Sequence, residues 1–235
     1  MAEANNKVDL SLSALLVVQI LTLFVAIPIG ASHPAGHLLL DACHLVFALV
    51  CVIVLTRHRA LQGALLVAIL LLSMGPFLAD RLSPEISIGE DVRHEIIALT
   101  AFAFNAAVTA IVARHVFGPG RVTAHRVQGA ILLYLNVASL FAIAYGLMAA
   151  HAPGSIAPTA GGGLPAVAGA RLATLTYFSL TTLTTTGFGD LAPISPLARS
   201  LASLEAVFGQ LFPATLLARI VALRLAHQTE EEALD

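Results

Sequence analysis

Residues 181–190 read TTLTTTGFGD: threonine at five of the first six positions, then Gly187, Phe188 and Gly189, then the acid Asp190. Hydroxyls and bare backbone thus stand between two long apolar runs. Inside a bilayer, backbone that is neither helix nor closed barrel is tolerated only where protein buries it or a water-filled path runs beside it. Such a segment offers a row of carbonyl oxygens. Carbonyls in succession replace the hydration shell of a cation, and glycines permit the backbone angles that aim them at one axis. The chemistry indicated is cation coordination, with no bond made or broken.

The elements that must position this row are membrane-spanning helices. Of 235 residues, 58% are hydrophobic and 11% charged, against about 25% charged in a soluble domain. The apolar residues fall in blocks long enough to cross a bilayer, which takes about 20 residues per helix. The blocks predict six spans, at about 10–29, 37–55, 61–78, 94–116, 124–150 and 196–225. Gly118-Pro119-Gly120 breaks the chain after the fourth, and Pro196 starts the sixth. The first span is read as retained, because no small-residue cleavage site follows it. Cys43 and Cys51, both within one apolar block, are read as reduced packing residues.

Residues 151–170 are rich in Gly, Pro and Ala and read as a loop. The helix-like run that follows, ARLATLTYFSLTT, is too short to cross. A short helix, an extended glycine-containing segment and the Pro-rich exit LAPISP together describe a re-entrant loop. With both termini inside, the inner face receives Lys7, Arg57, Arg59, Arg114, Arg121, Arg126, Arg219 and Arg224, and the outer face Arg81, Arg93, Arg171 and Arg199. That excess of basic residues inside predicts cytoplasmic termini and a loop that opens outward.

The stretch YFSLTTLTTTGFGDLAP resembles the pore helix and selectivity filter of the potassium channel family, whose usual form is T-x-G-[Y/F]-G-D. The likeness is to a six-transmembrane, prokaryotic-type subunit with a T-T-G-F-G-D filter. It implies that Thr185 contributes its hydroxyl to the innermost ion site, and that Thr186, Gly187, Phe188 and Gly189 contribute carbonyls to the outer ones. It implies that Asp190 stands just outside the filter. Tyr177 lies in the register where many relatives carry a Trp that bonds this acid. Gly209, 19 residues after Asp190, matches the family's hinge glycine, and Pro213 one turn later favours a kink. Thr186 stands where Val or Ile is common and Phe188 where Tyr is commoner. One chain supplies one of the four loops needed around an ion, so the resemblance implies a homotetramer. The resemblance implies potassium as the permeant ion and no other cofactor.

The expected fold is an all-α integral membrane protein: six transmembrane helices plus a re-entrant pore helix and selectivity-filter loop. Residues 1–117 form a four-helix peripheral domain and 118–235 the pore domain. The expected setting is the plasma membrane, multi-pass, with the lipid bilayer, potassium ions and three further copies of the chain as partners. The fourth span holds no Lys or Arg between Arg93 and Arg114. Steep voltage gating needs about three to four moving charges per subunit, so none is expected. No basic run suggests nucleic acid, and no enzyme activity is expected.

Two further groups stand out. His37, Asp41 and His44 share one face of the second span, and His94 lies at the outer end of the fourth. They fit an outer zinc or pH site, and the favoured reading is a hydrogen-bond network with Asp41 paired to His94 or Arg93. Glu205 is a lone acid within the sixth span, expected to brace the short helix through Thr181 or Thr182. Alternative functions are a non-selective monovalent cation channel and, from another class, a membrane metal-binding protein or enzyme built on the His/Asp cluster.

Overall fold

The computed structural model describes residues 2–33, 36–55, 90–118 and 124–232. It is helical almost throughout. Helix α1 (Ala2–Leu21) runs through a π-helical turn (Thr22–Ala26) into α2 (Ile27–Ser32). Then come α3 (Gly36–Leu55), α4 (Glu90–Phe117), α5 (Ala124–His151), α6 (Ala168–Leu183) and α7 (Pro196–Glu232). Among the described residues, four stretches are long and apolar enough to cross a membrane: Leu12–Ser32, Glu95–Arg114, Arg126–His151 and Pro196–Arg219. The chain is an all-α membrane protein. The expected third span, and most of the turn after Phe117, lie outside the described residues.

Helix α5 is the hub, with α1, α4 and α6 all packed on it. Leu12 and Leu15 of α1, Val108, Val112 and Val116 of α4, and Leu132 and Leu133 of α5 share one core with Phe212 of α7. Polar ties reinforce it where hydrocarbon makes an unpaired group costly. Ser13 Oγ donates to Gln128 Oε1 at 2.7 Å, and Gln19 Nε2 to Ser139 Oγ at 2.9 Å. Asn136 Nδ2 donates to Thr109 Oγ1 at 2.6 Å and to the Asn105 carbonyl at 3.1 Å.

The last carbonyls of a helix have no partner within it. Those of α4 find Arg219 of α7, whose Nη2 donates to Phe117 O at 3.0 Å and Gly118 O at 2.9 Å. A cation there also suits the negative end of the helix dipole, and the guanidinium lies 5.4 Å from the Phe117 ring centroid. Arg126 Nη1 reaches the same Gly118 carbonyl at 2.9 Å.

Two expectations are corrected here. The stretch 151–170 is not all loop: β1 (Ile156–Pro158) pairs antiparallel with β2 (Leu191–Pro193). Three residues ending in a proline are too short to show a strand period, and the partner lies more than thirty positions on. The last helix also continues to Glu232 rather than stopping near 225. Its polar final turns, HQTEEE, lack the apolar signal, but Gln and Glu among them are good helix formers.

Candidate ion-conduction site

The short helix α6 brings residues 181–190 into place. Arg171 fixes its entry, with Nε donating to Pro165 O and Nη2 to Ala166 O, each at 3.0 Å. Its exit is tied by the segment that follows. Thr181 O accepts from Thr186 N at 2.8 Å and from Gly187 N at 3.2 Å. The helix therefore ends by feeding its orphan carbonyls to the next segment, and its negative dipole end points into the same region.

Beyond Leu183 the backbone changes character. φ is +56° at Thr185, +53° at Gly187 and +82° at Gly189, while Thr186 and Phe188 stay negative. A regular strand alternates its carbonyls between two sides. Alternation in the sign of φ is the kind of backbone pattern that lets every second peptide turn over and successive carbonyls face one side. Glycine takes the positive positions without cost, but Thr185 is β-branched and carries strain there. Thr185 is the single non-glycine residue with positive φ among the described residues. It is held by its own N–H to Thr182 O at 2.9 Å, and by Gln210 Nε2 of α7, which donates to Thr185 Oγ1 at 2.6 Å.

Behind this row is a bracing layer. Tyr177 Oη donates to Asp190 Oδ1 at 3.1 Å. Its ring lies parallel to that of Phe188, centroids 6.2 Å apart. Tyr177→Phe keeps this stack and deletes one charge-assisted hydrogen bond. The bond is solvent-exposed and weak, so single-channel open times are expected to shorten by no more than about five-fold, without loss of assembly.

Glu205 is fully buried and braces three helices at once. Tyr145 Oη of α5 donates to Glu205 Oε2 at 2.6 Å, and Ser179 Oγ of α6 contacts Glu205 Oε1. The hydroxyl is thus that of Ser179 rather than Thr181 or Thr182. Position 179 lies on the buried side of α6, whereas the Thr181 hydroxyl turns back to Phe178 O at 3.0 Å. Arg199 is engaged elsewhere, its Nε donating to Pro193 O at 3.2 Å.

Gly209 sits where α7 crosses the end of α6. A Cβ added there would fall on the Leu183 carbonyl group, 2.7 Å from its carbon. Tyr134 Oη donates to that same carbonyl oxygen at 3.1 Å. Pro213 lies inside α7 and has no N–H for the Gly209 carbonyl four residues back.

His37, Asp41 and His44 fall on α3 and His94 on α4. The side chains of His37, Asp41 and His94 lie outside the described residues. Among the described residues no three His, Cys, Asp or Glu side chains come together as a metal site.

Residues 165–224 match the family model described as an ion channel. These residues are an ion-channel domain. The match covers about a quarter of the chain and holds α6, the segment 181–190 and most of α7. No curated protein and no solved structure matches the chain.

The channel domain also uses residues that sequence reasoning missed. Gln210, Ser179, Tyr145 and Thr159 all bond to the segment or its braces. Gln210 carried a local signal, being an amide within a long apolar helix; the others are ordinary hydroxyls.

Proposed function

We propose that the protein is a potassium-selective channel subunit, four copies of which surround one passive conduction pathway. The observation that carries this reading is the alternating sign of φ over residues 185–189, which lets backbone carbonyls face one side as a row beside an exposed surface. In this reading the carbonyls of Thr185, Thr186, Gly187, Phe188 and Gly189, with the Thr185 hydroxyl, replace the hydration shell of the ion. Asp190, Tyr177 and Glu205 hold the row in place. Gly209 and Pro213 weaken the ladder of α7 at one point, where the helix bends during gating.

The tetramer is supported by what the single chain leaves bare. Phe188 is 70% exposed, and Leu197, Leu204, Val207 and Leu211 lie exposed along one side of α7. Leu204, Val207 and Leu211 repeat at helical spacing. This apolar stripe and the carbonyl row are both covered when four copies meet on an axis. The membrane is taken to be the plasma membrane, with both termini cytoplasmic.

The test is a reversal potential in planar bilayers, with potassium on one side and sodium on the other. A reversal near the potassium equilibrium potential, blocked by barium, is expected. A reversal near zero with measurable current would make this a non-selective cation channel. The same recordings give the conductance–voltage relation, which is expected to be shallow because α4 has no Lys or Arg between Arg93 and Arg114.

A further inference from the structure

The outer end of the carbonyl row is not free. Thr159, the residue after β1, donates its hydroxyl to Gly189 O at 2.8 Å, with a longer approach of 3.3 Å to Asp190 O. Its backbone N–H donates to Asp190 O at 2.9 Å. The segment that carries it is firmly built. Ile156 is buried against Tyr145, Leu175 and Phe178. Ser155 O accepts from Ile194 N at 2.8 Å and Ser195 N at 3.2 Å. The pairs Ile156 with Pro193, Ala157 with Ala192 and Pro158 with Leu191 then lead the strand along the exit of the row. Beyond it the chain turns away, Gly161 N donating to Pro158 O at 3.2 Å.

From this geometry we infer that Thr159 is a positioning and specificity-determining residue of the outermost cation site, a role that rests on the filter reading above. A carbonyl oxygen has two lone pairs. At Gly189 the Thr159 hydroxyl takes one, so a cation at the outer end shares that oxygen with a hydrogen-bond donor. The donor fixes the plane of the Gly189 peptide and withdraws charge from its oxygen. Thr159 thereby weakens cation binding at the outer end of the row. A cation arriving from outside is held loosely and passes inward.

The experiment compares wild type, Thr159→Val and Thr159→Ser in planar bilayers. The readouts are the external potassium concentration for half-maximal inward current and the barium block from each side. Valine matches the shape of threonine without the hydroxyl, and serine keeps the hydroxyl. Loss of one such bond corresponds to about a five-fold change in affinity. Thr159→Val is expected to bind external potassium and external barium about five-fold more tightly. Internal block should stay unchanged, and Thr159→Ser should behave as wild type. Equal behaviour of Val and wild type overturns the inference, as does an equal shift from both sides of the membrane. Loss of the tetramer in Val with retention in Ser, seen by gel filtration, also overturns it, because the hydroxyl would then serve folding alone. If the wild type conducts but reverses near zero, the potassium reading is what fails. The half-maximal external concentration then still decides the role of Thr159. A wild type that carries no current sinks both.

Discussion

Gly209→Ala is expected to destabilise the channel domain rather than merely alter its gating. The added methyl would fall on the Leu183 carbonyl group, 2.7 Å from the carbon. That neighbour is backbone at the end of α6, and Tyr134 donates to its oxygen at 3.1 Å, so moving it would also disturb that bond. Overpacking of this kind costs about 1–3 kcal/mol, and a backbone clash belongs at the upper end. To relieve it, α7 must withdraw from α6, which also pulls Gln210 off Thr185. Thermal unfolding of purified protein in detergent should show a lower midpoint, and reconstituted flux should fall steeply. An unchanged midpoint with altered open probability would instead make Gly209 a hinge and nothing more.

Glu205 gives the second large effect, and here the choice of replacement decides the outcome. Ser179 has one hydroxyl hydrogen but two acceptors within reach, Ala138 O at 2.8 Å and Glu205 Oε1. Tyr145 donates to the other carboxyl oxygen. Glutamine reproduces this set: its NH₂ donates to Ser179 Oγ, Ser179 donates to Ala138 O, and its carbonyl accepts from Tyr145. Glu205→Gln should therefore assemble and conduct. Glu205→Ala leaves the Tyr145 hydroxyl without its acceptor and opens a cavity among three helices. The lost partner and the void together cost about 3–5 kcal/mol, and assembly should fail. The check is gel filtration and unfolding of both variants side by side. Equal stability of Ala and Gln would show that the contact braces nothing.

Much of this was readable from the sequence because it is local. A span announces itself by the length of its apolar run. Residues 185–190 announce themselves because glycine, threonine and an acid are each needed at a fixed place in one short segment. Tyr177 lies near Asp190 by the register of a single helix and its exit. The rest depends on what the chain brings together from afar. Thr159 meets Gly189 across thirty positions and Tyr145 meets Glu205 across sixty. Nothing in a threonine of a Gly/Pro-rich stretch marks it as a partner of the carbonyl row. Gly209 has the family's spacing in sequence, but only packing shows that a backbone carbonyl lies where its side chain would be. Ser179 rather than Thr181 receives Glu205 because of which face of α6 is buried, and a threonine-rich helix hides that choice.

The peripheral helices pack on their own chain. Leu12, Leu15, Val108, Val112 and Val116 share a core with α5 and Phe212 of the same molecule, and Arg219 ties α4 to the α7 of its own chain. In the proposed tetramer, α1 and α4 are then sheltered by their own subunit. On that reading assembly is the meeting of four subunits whose α1 and α4 are already docked. Subunits should consequently trade between tetramers without unfolding. Mixing two tagged populations in one membrane would yield hybrids at a rate set by dissociation alone.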